Sequence, residues 1–375
     1  MTPASRRVTQ RDIARLAGVS QATVSLVLNN RADTEVRIAP ETRERVLRAI
    51  QETGYVADPV ARRLVSRFNR IIGVFTYEPA FPSGSRDFFH PFLVGIEECA
   101  ERVGCDLLLF TSAPVVDGRR RIFHQDNRLR LADGCLLLGR ELDATELRRL
   151  NDDGFPFVAV GRRDDAGGPV PYVGADYADA VRQLVRRAHG YGHRRMAYLR
   201  MGMAAESAAD RRQGFADEIG SAGSGIEVGT DGRTVDELLD QVLAADATVV
   251  FVEDFAVMVE LERAARRRGL AVPGDLSILA LGDPTVPVPS DVAFTGFLIP
   301  REEMGRQAVE VLVAMVNGGP AGGGTGVGGP AGGSTGVGGP AGGSPDGSGV
   351  QQRLLPCELV EGSTLGAPDR TVGRS

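Results

Sequence analysis

The stretch that most constrains this chain is Thr9 to Asn29, TQRDIARLAGVSQATVSLVLN. Its spacing predicts two short helices joined by a tight turn. Ile13, Leu16 and Ala17 form an apolar face at helical spacing. Thr9 is placed to cap the first helix, and Asp12, three residues on, completes a capping box. Gly18 suits the stop, because glycine tolerates the left-handed conformation common at helix ends. Val19 then packs inward and Ser20 caps a second helix to about Leu28, with Val24, Val27 and Leu28 facing the first. Gln21, Ala22, Thr23, Ser25, Leu26 and Asn29 are left outside. An outer face of short polar groups without an acid can enter a DNA major groove and reach base edges.

The pattern T-x-x-D-I-A-x-x-A-G-V-S-x-x-T-V-S-x-V-L-N resembles the helix-turn-helix of the LacI/GalR family of bacterial transcription regulators. A chance helical hairpin carrying A-G-V-S is the competing reading, and the length of the match disfavours it. From the resemblance, Gln21, Ala22 and Leu26 are expected to read base edges. Gln bonds adenine bidentately, whereas Ala and Leu offer only apolar contact, such as with a thymine methyl. Thr9, Ser20, Thr23, Ser25 and Asn29 have side chains suited to phosphate or sugar. Arg6, Arg7 and Arg31 either contact the backbone or are merely solvated.

Charge supports an anionic partner for the N-terminal part alone. The whole chain is −6, but residues 1–70 hold 13 Arg against 7 acids, a net +6, and the rest is −12. There is no Lys, so every phosphate-contacting cation must be Arg. Cys99, Cys105, Cys135 and Cys357 show no C-x-x-C spacing and read as reduced core residues of a cytoplasmic protein. The chain has no apolar h-region and no run of about 18 apolar residues, so neither secretion nor a membrane span is expected.

After a polar loop, Pro40–Thr53 reads as a third helix with Val46, Leu47 and Ile50 as its apolar face and Gly54 as its stop. Ala39 stands where the family has a hydroxyl cap. Residues 1–57 are thus expected to form a small all-α head. Asp58 and Pro59 can start a short helix, too short to be stable alone. The resemblance makes residues 58–70 a hinge helix and linker, ordered when two copies pair on DNA. Arg62 and Leu64 lie in the A-R-x-L frame. Leu64 matches the leucine that wedges into the minor groove, with a linker leucine packed on the head as the alternative.

From Ile71 the period changes. IIGVF (71–75), DLLLF (106–110), GCLLLG (134–139), FVAVG (157–161), RMAYLR (195–200), ATVVFV (247–252) and LSILALG (276–282) are short apolar runs suited to buried parallel strands. Helical segments alternate with them: 93–103, 178–188, 208–219, 235–243 and 256–268. The fold class is α/β: a helical head, then two doubly wound subdomains with a cleft between them, over 71–364. This matches the family's effector domain, which resembles periplasmic sugar-binding proteins. The stretch Leu354–Val360 reads as one last strand. Gly318–Gly349 carries a ten-residue Gly-Pro-Ala repeat and reads as a disordered insert. The tail beyond Thr364, residues 365–375, is also expected to be disordered.

For an effector site the resemblance points to Asp176 in V-G-A-D-Y and Arg211 in R-R-Q-G-F. It also points to Asp254 in F-V-E-D-F, where Glu253 replaces the usual Asn, and Asp283 in L-G-D-P, where Gly282 replaces an acid. Phe88 and Phe89 either stack on a sugar ring or belong to the core. Each acid has a surface or helix-capping role as an equal alternative. No metal, cofactor or catalytic constellation is expected. His189 and His193 are four apart, but Gly190 and Gly192 break the helix between them. The chain is therefore expected to be no enzyme but a homodimeric, DNA-binding repressor. Its partners are a pseudo-palindromic double-stranded operator and a small effector, a sugar or sugar derivative. A solute-binding module without a DNA role is the alternative, which fits the body but leaves the head unexplained.

Overall fold

The computed structural model describes residues 8–28, 38–55, 68–78, 88–116, 118–220, 223–284, 288–318 and 350–369. The chain divides into two units, residues 1–69 and 70–375.

The first unit contains α1 (Gln10–Ala17), α2 (Gln21–Leu28) and α3 (Pro40–Thr53). The caps are local. Asp12 N donates to Thr9 Oγ1 while Thr9 N donates to Asp12 Oδ2, closing the capping box. Gly18 takes φ 66°, and Ser20 Oγ accepts from Thr23 N at 3.1 Å. Ala39 caps nothing with its side chain, and Pro40 stands at the first helical position. The core is Ile13, Ala14, Ala17, Val24, Val27, Val46 and Ala49. Two expectations are corrected here. Leu16 is 59% exposed and Leu47 44% exposed, and Ala14 and Ala49 take the inward places. Helices this short must approach closely to shut out water, and alanine permits that where leucine does not.

The strands of the second unit begin with β1 (Ile71–Thr76), β2 (Asp106–Phe110), β3 (Val115–Val116), β4 (Arg119–Arg120), β5 (Gly134–Leu138), β6 (Phe157–Val160) and β7 (Tyr172–Ala175). They continue with β8 (Arg195–Arg200), β9 (Ser224–Gly229), β10 (Val249–Val252), β11 (Ser277–Ala280), β12 (Gly296–Leu298), β13 (Gln352–Leu355) and β14 (Glu358–Val360). The helices are α4 (His90–Val103), α5 (Ala144–Asp152), α6 (Tyr177–Gly190), α7 (Glu206–Ile219), α8 (Val235–Ala244), α9 (Phe255–Arg267) and α10 (Arg301–Val316).

They make two parallel sheets. One runs β13-β7-β6-β5-β1-β2, the other β11-β10-β8-β9. In the first, Val74 lies opposite Leu136 on one side and Leu109 on the other. Every residue of β5 and of β10 is buried, as strands covered on both faces require. On one face of the first sheet, Leu147 and Leu150 of α5 join Phe75, Leu137 and Phe157. The other face carries α10, which packs along α4. There a methyl group on Gly95 would lie 1.9 Å from the Glu302 carbonyl oxygen, and one on Gly305 would lie 2.3 Å from that of Phe92. The two backbones touch through these glycines. In the second sheet, α8 and α9 cover one face, while Tyr198, Phe215 and Phe251 stack on the other.

The chain passes from the first sheet to the second lobe at Asp176, returns before α10, and passes again after β13. The expected last strand over 354–360 is therefore two. β13 pairs parallel with β7 in the first lobe, and β14 pairs antiparallel with β12. Pro356 lacks the N–H that one continuous strand would need there. Strands β3, β4, β7, β9 and β12 and helices α5 and α10 are additional to the segments expected. β7 is only four residues long, and β9 is an edge strand that is mostly exposed or half-buried.

The tail expected to be disordered beyond Thr364 is ordered as far as Asp369. Thr364 is fully buried, and its hydroxyl donates to the Ile278 carbonyl at 2.5 Å. His193, also fully buried, donates from Nε2 to the Gly366 carbonyl at 2.9 Å, which leaves Nδ1 to accept from Thr248 Oγ1 at 2.8 Å. Residues 58–67 of the expected hinge helix, 319–349 of the Gly-rich tract and 370–375 of the tail lie outside the described residues.

Burial holds the His193 pKa below its ordinary 6.5. The unfolded chain therefore binds that proton more readily than the folded one, and stability falls as pH drops below about 6.5. Thermal unfolding at pH 5.5 and 7.5 should show a larger acid-induced drop for wild type than for His193→Gln. Equal drops in the two proteins would assign the acid loss to other groups.

Candidate functional site

The outer side of α2 presents Gln21 and Ala22 exposed, with Thr23, Ser25 and Leu26 half-buried. No charged residue stands in this helix. Of the hydroxyls expected there, Thr9 Oγ1 donates to Asp12 Oδ2 at 2.7 Å, and Ser20 Oγ lies 2.9 Å from Thr23 Oγ1. These groups therefore also hold the two N-termini in shape. Asn29, Arg31, Arg62 and Leu64 lie outside the described residues.

A cavity of about 470 Å³ lies between the two lobes of the second unit. Its walls come from the carboxyl ends of the parallel strands. Gly139 and Arg140 follow β5, and Gly161, Arg162 and Arg163 follow β6. Met201 follows β8, Glu253 and Asp254 follow β10, and Leu281 to Asp283 follow β11. Open parallel sheets place ligands at this edge, because each strand ends there in a loop that a helix N-terminus backs.

Arg211, on α7, reaches into this cavity. Its Nε donates to the Leu281 carbonyl at 2.9 Å and its Nη1 to that of Ser207 at 3.0 Å. The guanidinium lies 3.9 Å from the centroid of the Tyr177 ring. Burial raises the Tyr177 hydroxyl above its ordinary range, so that ring is a neutral platform. Glu253 is fixed from two sides, since Tyr198 Oη donates to Oε1 at 2.5 Å and Met201 N to Oε2 at 2.6 Å. Asp254 lines the cavity and also caps α9, accepting from Ala256 N at 2.8 Å and Val257 N at 3.1 Å.

Asp283 lines the cavity with both oxygens engaged. Oδ1 accepts from Ile299 N at 2.7 Å, and Oδ2 pairs with Arg301 Nη1 at 2.6 Å. Phe88 is part of the wall under the Arg140 guanidinium, 4.7 Å away. Two expected site residues are placed elsewhere. Phe89 is buried behind Phe88 in an edge-on contact and does not line the cavity. Asp176 is the cap of α6, accepting from Asp179 N at 2.9 Å, and is likewise absent from the lining. A carboxylate at the end of a strand is drawn to the unpaired N–H groups of the helix that follows.

Among the described residues, two ion pairs join the loop after β6 to α7. Arg162 Nε bonds Asp210 Oδ2 at 2.7 Å, and Arg163 Nη1 bonds Glu206 Oε2 at 3.2 Å. The Arg163 side chain is only 4% exposed, and Nη2 donates to the Gly139 carbonyl at 2.7 Å. Burial lowers its pKa, which Glu206 opposes. Arg140, Arg162, Arg163, Tyr177 and Arg301 were not singled out in the sequence. Five of the expected strands end just before the cavity residues, so reading one to three positions past each would have found the three arginines after β5 and β6.

Among the described residues no cluster of three or more His, Cys, Asp or Glu is placed to hold a metal ion. No helix among them is long and apolar enough to cross a membrane.

Comparison with known proteins bears on both units. The family model "Bacterial regulatory proteins, lacI family" matches residues 9–58, and "Periplasmic binding protein-like domain" matches 185–330. The HTH-type transcriptional regulator CelR of Thermobifida fusca is 31% identical over 330 residues, covering 84% of this chain and 93% of that protein. The catabolite control protein A of Priestia megaterium is 26% identical, covering 83% and 93%. A solved transcriptional regulator CelR–cellobiose complex superposes with a TM-score of 0.57 at 25% identity, covering 96% of this chain and all of that one. The lac repressor dimer bound to operator and the anti-inducer ONPF gives 0.65 at 20% identity, with the same coverage, which is a likeness of fold.

Proposed function

Because the chain belongs to the lacI family of bacterial regulatory proteins, a family of DNA-binding transcription regulators, we propose that it is a repressor controlled by a carbohydrate. Two copies bind a pseudo-palindromic operator through their heads, and the effector binds in the cleft between the lobes. The observation that carries the effector half is the 470 Å³ cavity, with aromatic platforms at Phe88 and Tyr177 and fixed polar groups at Arg211, Glu253 and Asp254. Flat apolar faces suit the C–H side of a sugar ring, and charged forks suit its hydroxyls. CelR, solved with cellobiose, supports the same class.

For the DNA half, Gln21, Ala22 and Leu26 face base edges, while Thr9, Ser20, Thr23, Ser25, Asn29 and Arg31 meet phosphate and sugar. Arg62 and Leu64 act at the centre of the operator, where an apolar wedge opens a base step. Residues 1–57 serve as the head, 58–70 as the hinge, and 71–364 as the effector and dimerisation domain. Control is a population shift. A ligand touching both walls favours one arrangement of the lobes, to which the pairs Arg162–Asp210 and Arg163–Glu206 also contribute. That arrangement sets whether paired hinges order on the operator.

The test is Arg211→Ala. It removes a bidentate cation from the cleft and nothing from the head. Fluorescence anisotropy with a selected operator should show wild-type affinity. The sugar concentration for half-maximal response, first found by a thermal-shift screen, should rise about tenfold or more. A wild-type response would remove Arg211 from the effector site and leave it a brace between α7 and Leu281.

A further inference from the structure

A second cavity adjoins the cleft. It holds about 270 Å³, and Met201, Met203, Ala208 and Glu253 line both. Helix α7 presents one stripe to each. Ser207 and Arg211, four apart, line the cleft, while Glu206, Ala209 and Arg212, three apart, line the second cavity. The room comes from small side chains. Ala204, Ala205, Ala208 and Ala209 stand where the loop after β8 enters α7, and longer side chains there would fill the space. Met201 and Met203 form part of the shared wall, and an unbranched thioether chain adapts its shape to what lies against it.

Most charges of the second cavity are matched. Asp164 pairs with Arg162, Glu206 with Arg163, and Arg212 with Glu227. Among the described residues that leaves one cation, Arg200, and one carboxylate, Glu253, without an ion-pair partner in its lining. The cleft is balanced in the same way, with Glu253 and Asp254 against Arg140 and Arg211. Neither cavity calls for a charged ligand group. Both offer apolar surface beside fixed donors and acceptors, which is what a neutral polyol needs. Glu253 belongs to both linings. Tyr198 Oη and Met201 N each hold one of its oxygens, and each oxygen keeps a lone pair for a ligand hydroxyl.

Two cavities with a common wall suit a ligand of two compact parts joined by a narrow link. Two sugar rings joined through one glycosidic oxygen have that shape. We infer that the effector is a neutral glycan of at least two linked rings, with one ring in the cleft, the next in the second cavity, and Glu253 taking a hydroxyl where they meet. The inference rests on the carbohydrate-effector reading above, and narrows it.

The experiment is calorimetric titration of the full-length chain with one-ring and two-ring sugars: glucose with cellobiose and maltose, xylose with xylobiose, and mannose with mannobiose. At least one two-ring sugar should bind about tenfold or more tighter than its one-ring partner. Ala204→Phe and Ala209→Phe add bulk at exposed positions that line the second cavity and not the cleft. Each should shrink the advantage to within about threefold, by weakening the two-ring sugar and not the one-ring sugar. Thermal unfolding of both variants checks that they fold. One-ring sugars that bind as tightly as their two-ring partners overturn the two-ring assignment and leave a sugar effector standing. An advantage that survives in both variants overturns the role of the second cavity. If no sugar of any pair binds, the carbohydrate reading itself falls, and the two-ring one with it.

Discussion

Operator affinity should fall about a thousandfold when monovalent salt rises from about 50 to about 200 mM, if each of two heads neutralises about three phosphates. The recognition helix α2 carries no charge, so it brings specificity but little long-range attraction. Attraction must come from arginines around it. Residues 1–70 carry 13 of them against 7 acids, and the remainder of the chain is net negative and repels DNA. With about six phosphates neutralised per dimer, the log–log slope of affinity against salt is about −5. Binding measured by anisotropy from 50 to 200 mM potassium chloride gives the slope directly. A slope shallower than about −2 would mean that the basic head does not lie along the phosphate backbone. Gln21→Ala should behave differently. It should lower affinity for the selected operator and leave the salt slope unchanged, because a base contact releases no counterion.

Asp283→Ala should destabilise the effector unit by about 3–5 kcal/mol, the usual consequence of removing one partner of a buried ion pair. The Arg301 side chain is 8% exposed and that of Asp283 25%. The guanidinium bonds Asp283 twice, at Oδ2 and at the main-chain oxygen, so the substitution leaves a buried cation half-satisfied. It also frees the Ile299 amide just before α10, the helix that crosses back to the first lobe. In thermal unfolding the midpoint should drop by roughly 6–20 °C, at about 2–4 °C per kcal/mol for a large domain. The double variant Asp283→Ala, Arg301→Met should recover much of that loss, because it removes both charges and restores apolar volume. The outcome against this reading is an unchanged midpoint with effector binding lost, which would make Asp283 a ligand contact and not a brace.

Asp283 shows where reading the chain reaches its limit. Its position at the mouth of the cleft was legible, since L-G-D-P follows a strand-like apolar run. Its partner was not, because Arg301 lies 18 residues on, beyond β12. Asp176 and Asp254 divide in the same way. Both precede a helix, and both cap it. Only Asp254 also faces the cavity, because β10 ends at its wall while β7 ends on the crossing to the second lobe.

What the amino-acid order determined by itself is what depends on neighbours a few residues apart. The capping box of Thr9 and Asp12, the left-handed Gly18 and the Ser20 cap are complete within four positions, so the helix-turn-helix could be read directly. The seven apolar runs likewise named seven parallel strands: six are largely buried, and a strand covered on both faces has no polar side to vary, while the edge strand β2 is exposed or half-buried throughout and was named by its apolar run alone. Tertiary structure decided the choices between equivalent faces and between distant partners. It turned Leu16 and Leu47 outward, since closely packed short helices admit only alanine at Ala14 and Ala49. It split residues 352–360 between two pairings, and it buried Thr364 in a tail with no apolar run to announce it. It also gathered five arginines, spread over 161 positions from Arg140 to Arg301, into one cavity. Local chemistry sets period and termini over a few ångströms of chain. Which surfaces meet, and which charges are left without partners, is settled only when segments far apart in sequence exclude the same water.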